Sequence, residues 1–260
     1  MQNDPNNRFA VPEDRLTRFS SRAEDYAKFR PSYPAAAIDA ILAGMGEPTG
    51  LVCLDVGSGT GISARLLAER GCRVIAVEPN EAMRERAESH ARVRMRGGNA
   101  EETGADDGSM DVVLAAQAYH WFDEPKALAE FARVLRAGGR LAVMWNVPDE
   151  RTESGRGYRE IMLRYATEPP TSPWNNFCAP RLEGDARFMG YRTVEIPSGQ
   201  VLDCAGLIGR AGSASYVPKH GRAREQMEAD LAHLYSRCER DGVFTLAYVT
   251  RVHLAERTER

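Results

Sequence analysis

The stretch LVCLDVGSGTG, residues 51–61, constrains this chain more than any other. A short, continuous apolar run that ends in glycines reads as a strand covered on both faces, with a tight turn at its carboxyl end. The pattern recurs in CRVIAVE (72–78), VRMRGG (93–98), DVVLAAQ (111–117) and RLAVMWN (140–146). Helical stretches over 62–70, 80–90 and 125–136 separate these runs, the first closed by Gly71, the second opened by Asn80 and the third ended by Gly138 and Gly139. Strands alternating with helices at this spacing form right-handed βαβ units, hence a parallel sheet with helices on both faces.

Outside this core the rhythm changes. Residues 1–14 read as a loose tail, and 18–29 as a helix with Phe19, Ala23, Tyr26 and Ala27 on one face, stopped by Pro31. A second helix is expected over 35–43, before Gly44 and Gly46. Residues 148–190 hold five prolines and a helix whose apolar face carries Tyr158, Ile161, Met162 and Tyr165. A strand over 193–202, an amphipathic helix over 223–235 and a closing strand over 244–252 complete the pattern. The expected fold is α/β: a Rossmann-like, doubly wound, mostly parallel seven-stranded sheet with an antiparallel final strand and an inserted lid. The chain reads as one domain. Within it, 1–47 are helices over the ligand edge, 48–147 the ligand-binding core, 148–190 the lid, and 191–260 the C-terminal sheet and helices.

Net charge is −3, which gives no long-range attraction to nucleic acid or to an anionic membrane, so neither is an expected partner. Five scattered cysteines without a C-x-x-C pair point to reduced thiols rather than disulfides or a zinc site. No stretch approaches the ~18 apolar residues of a membrane span, and residues 1–15 have no apolar signal core, so a cytoplasmic location is expected.

Ligands of open α/β sheets bind outside the carboxyl ends of the strands, where strand order reverses. The first strand delivers Asp55-Val56-Gly57-Ser58-Gly59-Thr60-Gly61 to that point. A dinucleotide site wants G-x-G-x-x-G, but the position of its third glycine is Ile62. Asp55, two residues before the first glycine, suits a ligand with an amino or sulfonium group better than a pyrophosphate. Glu78 ends the second strand, 19 residues past Gly59, and a carboxylate there can accept from both hydroxyls of a ribose.

With AEDYAKFRPSYP (23–34), LDVGSGTG (54–61), VEPNEAM (77–83), GNAEET (98–103), AAQAYHWFD (115–123), EFARVLRAGGRLAVMWN (130–146) and SASYVP (213–218), the chain resembles the class I S-adenosylmethionine (SAM) dependent methyltransferases. More narrowly it is similar to the methyltransferase domain 11 group that includes trans-aconitate methyltransferase-like proteins. The resemblance covers nearly the whole chain. It implies SAM as cofactor, S-adenosylhomocysteine as product, and roles residue by residue. Gly57, Ser58 and Gly59 would hold the methionine portion, with Asp55 orienting its amino group through the loop. Glu78 would bind the ribose, with Pro79, Asn80 and Met83 flanking the adenine and Asn99, Ala100 and Glu101 at its edge. Asn99 stands where the family commonly has Asp. Gln117 and Ala118 would border the methionine end, and Tyr26 and Arg30 would fold over the cofactor, Arg30 pairing with its carboxylate.

Methyl transfer from a sulfonium needs the acceptor aligned about 3 Å behind the methyl carbon and water excluded, which is largely proximity catalysis. A phenol, alcohol or ammonium acceptor must also lose a proton; a carboxylate or enolate need not. His120 is the histidine at a strand end beside the expected cofactor site, so it can be that base or simply line the pocket. Tyr33, Tyr119, Trp121, Trp145, Asn146 and Trp174 are the other expected substrate-lining residues, and no metal site is expected. The expected function is SAM-dependent methyl transfer to an O-, N- or C-nucleophile of a small molecule by a monomer or homodimer. The alternatives are a methyltransferase fold that binds SAM without methylating, or serves a rearrangement, and a nucleic-acid methyltransferase. The latter lacks its D/N-P-P-Y/F/W signature, because the loop after the fourth strand reads QAYHWFD.

Overall fold

Seven strands form one sheet, and the strand with the long apolar run 112–116 lies at its centre. The structure, a computed structural model, describes residues 29–167, 180–182, 184–214 and 216–259. The expected helix over 18–29, with Tyr26, falls almost wholly outside these residues, as does Trp174. The strands are β1 (Val52–Val56), β2 (Arg73–Val77), β3 (Val93–Arg96), β4 (Met110–Ala116), β5 (Leu135–Pro148), β6 (Phe188–Leu202) and β7 (Phe244–Arg257), in the order β3-β2-β1-β4-β5-β7-β6. Pairings among β1 to β5 are parallel, whereas β7 runs antiparallel to both β5 and β6. The doubly wound sheet with an antiparallel last strand is therefore as expected.

Every residue of β4 is buried, because helices cover both faces. On one face Leu54, Val56, Val113, Ala115, Leu141 and Val143 pack with Leu128 and Phe131 of α4 (Glu124–Val134). On the other, Cys53, Val112, Leu114 and Met144 meet Ile38 and Ile41 of α1 (Ala35–Leu42) and Ala64 and Leu67 of α2 (Ile62–Glu69). A third cluster joins α5 (Glu153–Arg164), α6 (Cys204–Gly212) and α7 (Arg222–Cys238) to β7, through Tyr158, Met162, Leu207, Met227, Leu231 and Phe244.

Several elements depart from expectation for identifiable reasons. The helix expected over 80–90 is a single turn, α3 (Glu81–Arg84), because Met83 alone of its residues is buried, and a helix with so little apolar face gains little from packing. Strand β5 begins at Leu135, which pairs with Met110, so α4 ends two residues early. Strand β6 begins at Phe188, not 193, because β7 offers it a ladder out to Arg257. Helix α6 was not expected: its glycines at 206, 209 and 212 lower helix propensity. They are there for close packing, since a Cβ on Gly209 would lie 2.6 Å from the Phe29 ring.

Candidate functional site

The loop after β1 is shaped by three left-handed glycines, Gly57 (φ 67°), Gly59 (φ 57°) and Gly61 (φ 79°). The N–H groups of Gly57 and Ser58 both donate to the Val77 carbonyl, at 2.8 and 3.2 Å. The Gly59 N–H donates to Glu78 Oε2 and the Asn80 N–H to Glu78 Oε1, each at 2.9 Å. Glu78 thus ties the loops after β1 and β2 together. It is 8% exposed, and burial raises its pKa while the two N–H bonds and Arg84 pull it back down. Each carboxylate oxygen keeps a lone pair for a further donor.

These bonds bear on the two ligand classes weighed above. A pyrophosphate needs free backbone N–H groups at this turn, and those of Gly57, Ser58 and Gly59 are committed. The start of α2 is already faced by a carboxylate: Asp55 Oδ2 accepts from Ser63 Oγ at 2.7 Å, and its group also accepts from the Ala64 N–H. Asp55 is fully buried, and burial above all pushes its pKa up to about 7, with Glu78 adding to the rise. Two buried oxygens here, Asp55 Oδ1 and Ser58 Oγ, have no hydrogen-bond partner among the described residues. Both can accept from a cationic or hydroxyl-bearing ligand, which fits an adenosyl sulfonium compound and not a second phosphate.

The neighbouring loops close on the same place. A Cβ on Gly57 would stand 2.6 Å from Ala118 Cβ, so the loops after β1 and β4 touch. Gln117 is in the left-handed region (φ 56°), its N–H donating to the Met144 carbonyl at 2.8 Å. Asn80 Oδ1 caps α3 at the Met83 N–H, and Asn80, Met83 and Ala100 are buried beside it, while Pro79 is exposed. Asn99 is exposed, and its Oδ1 accepts from the Glu102 N–H at 2.7 Å, so the side chain shapes its own loop first. Glu101 Oε1 accepts from the Asp123 N–H at 2.8 Å, joining the loops after β3 and β4.

The expected acceptor residues divide. His120 and Trp121 lie half-buried in a one-turn 3-10 helix (Tyr119–Trp121), their rings 4.9 Å apart. Asn146 is buried at the end of β5; its Oδ1 accepts from Thr250 Oγ1 at 2.6 Å, and its Nδ2 donates to the Ser32 carbonyl at 3.1 Å. Arg30 and Tyr33 are half-buried on either side of Ser32. Tyr119 and Trp145 are instead core residues: their rings meet edge-on, Trp145 also packs on His253, and Tyr119 Oη donates to Glu124. Trp145 shares the inner face of β5 with Leu141 and Val143, so strand parity turns it away from Asn146.

One group of residues at this edge was not expected from the sequence: Tyr158, Arg210, Tyr216 and Tyr248, contributed by α5, α6, the segment after α6 and β7. A signal existed, since Arg210 interrupts the apolar face Leu207, Ala211 and Ala214.

Residues 54–143 match the family model of a methyltransferase domain, Methyltransf_11. An uncharacterized methyltransferase of Mycobacterium tuberculosis is 44% identical over 153 residues, which are 58% of this chain and 61% of that protein, so the match spans about three fifths of the curated relative. A solved structure described as a type II methyltransferase from Anaeromyxobacter dehalogenans superposes with a TM-score of 0.65 at 26% identity, over 89% of this chain and 98% of the other. A phosphoethanolamine N-methyltransferase of Haemonchus contortus, solved with S-adenosylhomocysteine, has the same fold at 17% identity and a TM-score of 0.55, over 95% of this chain and 59% of its own. Residues 54–143 thus match a methyltransferase domain, and the strand order and glycine loop are those of the class I SAM-dependent methyltransferase fold.

Proposed function

We propose that the chain transfers the methyl group of SAM to a small-molecule acceptor by in-line displacement and releases S-adenosylhomocysteine. One observation carries this reading: a buried Glu78 closes a glycine loop in which the Gly57, Ser58 and Gly59 N–H groups are already committed, and its carboxylate keeps lone pairs for a ligand's hydroxyls. When bound, SAM supplies an electrophilic methyl group on a positively charged sulfur. Glu78 would then accept from the ribose hydroxyls on its remaining lone pairs, Pro79, Asn80 and Met83 would flank the adenine, and Asn99, Ala100 and Glu101 would stand at its edge. Gly57, Ser58, Gly59, Gln117 and Ala118 border the methionine end, and Tyr26 and Arg30 fold over the cofactor, Arg30 pairing with its carboxylate.

His120, Trp121, Tyr33, Asn146 and Trp174 are assigned to the acceptor side, with residues 148–190 as a lid that keeps water out. His120 serves as base where the acceptor must lose a proton, and as a wall where it need not. The net charge of −3 supports a small metabolite over nucleic acid as acceptor, and a cytoplasmic monomer or homodimer is the corresponding setting.

Calorimetry with SAM and S-adenosylhomocysteine, followed by transfer of a tritiated methyl group to small acids, phenols and amines, tests the reading. Affinity for both sulfur ligands and a labelled product are expected; affinity for neither overturns it. Affinity without transfer to any acceptor leaves a SAM-binding protein. His120→Asn should cut turnover about 100-fold on an acceptor that must be deprotonated.

A further inference from the structure

Beyond the ends of β4 and β5, the carboxyl edge of the sheet holds a buried positive charge that the proposed cofactor site does not use. Arg210, on α6, is 3% exposed, and among the described residues no carboxylate pairs with it. Its Nε–H has no acceptor. The guanidinium lies among the phenol groups of Tyr158, Tyr248 and Tyr216. The Tyr248 hydroxyl stands beside it without hydrogen-bond geometry, and is itself buried. Burial pushes the Tyr158 pKa up to about 12, against the opposing pull of Arg210, so this phenol keeps its proton and is a donor. A second cation, Arg30, is close enough to Tyr158 and Tyr216 to act on both.

The charge is costly as it stands. An ionised group out of water without a counter-ion is among the least favourable things a fold can contain, and guanidinium cannot shed its proton to escape. A protein keeps such a group where something else supplies the negative charge. The surroundings specify it: one planar, forked donor and neighbouring hydroxyl donors suit an oxyanion, a carboxylate or a phosphate.

The location ties this group to the ligand edge. Tyr248 pairs with Pro148 at the end of β5 and shares its strand face with Thr250, whose hydroxyl bonds to Asn146. Asn146 in turn accepts from Gln117 Nε2 through its carbonyl at 3.5 Å, at the end of β4. On the other side, Gly209 is pressed against Phe29, which places α6 under the segment carrying Arg30.

Resting on the methyl-transfer reading above, we infer that Arg210, with Tyr158, Tyr216 and Tyr248, binds an oxyanion group of the methyl acceptor and so orients it toward the cofactor. Arg210 is a positioning and specificity residue, not one that touches the transferred methyl group.

The test uses the full chain, titrated calorimetrically with malonate and with inorganic phosphate, with and without saturating S-adenosylhomocysteine, as wild type, Arg210→Met, Arg210→Lys and Tyr248→Phe. Wild type should bind at least one of the two anions, and the stronger of them names the class. Arg210→Met should weaken that binding about tenfold or more while S-adenosylhomocysteine affinity stays within about twofold. Arg210→Lys should recover part of it. The anion should raise the melting temperature of wild type and not of Arg210→Met, whose own melting temperature should equal or exceed that of empty wild type; a merely structural arginine would lower it. Should Arg210→Met not fold, Tyr248→Phe and Arg210→Lys carry the same comparison. Equal anion binding by the variants, or none by wild type, overturns the inference. A parallel loss of S-adenosylhomocysteine affinity in Arg210→Met also overturns it, by assigning the charge to the cofactor. If wild type binds anions through Arg210 but no sulfur ligand, the anion site stands and methyl transfer falls.

Discussion

At Gly57 two requirements coincide, a backbone turned to φ 67° and a space that Ala118 leaves too small for even a methyl group. Either alone would penalise a side chain; together they leave glycine. Gly57→Ala should therefore cost about 1–3 kcal/mol of stability and weaken S-adenosylhomocysteine binding, both read from melting curves with and without the ligand. Unchanged curves would mean that the loop relaxes freely. Gln117 carries similar backbone strain without glycine's freedom, which marks the end of β4 as a place where geometry is held by its surroundings. Glu78 is held from both sides by N–H groups, so Glu78→Gln exchanges one charge-assisted acceptor for a donor that faces an N–H group. Affinity for S-adenosylhomocysteine should fall at least about tenfold by calorimetry, because the loop and the ribose contact depend on the same carboxylate.

Among the elements, helix α6 depends on the residue that caps its start, Asp203. Asp203 Oδ1 accepts from the Gly206 N–H at 2.6 Å, and the helix it starts is rich in glycine. Asp203→Ala should cost about 1 kcal/mol, visible as a lower urea midpoint with an unchanged slope. How far the sequence could be read follows the same division between local and non-local causes. The five parallel strands, α2 and the placing of Glu78 at the end of β2, 19 residues past Gly59, were legible, because each is set by a local apolar run or a fixed spacing. The starts of β5 and β6 were not, because they are decided by ladder partners in β4 and β7. Trp145 was misplaced for a related reason: β5 is apolar on both faces, so nothing in the run RLAVMWN tells which side a residue serves. Arg210 was not legible either, because the residues around it come from α5, β7 and the segment after α6.

For the molecule as a whole, two buried groups give stability opposing dependences on pH. Burial lowers the His253 pKa to about 4, where it stacks on Tyr191 and accepts or shares a hydrogen bond with its hydroxyl. Between about pH 6.5 and 4 the unfolded chain takes up a proton that folded His253 refuses, so stability falls as pH falls, by about 3 kcal/mol in full. Asp55, with its pKa near 7, holds a proton in the folded chain that the unfolded chain loses near pH 4, so stability falls by about 4 kcal/mol as pH rises from there to 7. In wild type the two nearly offset over the shared range. His253→Gln should then leave a protein that weakens steadily from pH 4 to 7, and Asp55→Asn one that weakens from pH 6.5 down to 4, in urea titrations at each pH. The same curve for all three proteins would dismiss both assignments. Residues 29–33 carry a different consequence. Their carbonyls are held by Asn146 and Gln200, 114 and 171 positions further along the chain. A ribosome releases residues in order, so this strap leaves early and must wait, unattached, until β5 and then β6 have been made. These tethers are thus made late in maturation, after most of the polypeptide has been synthesised.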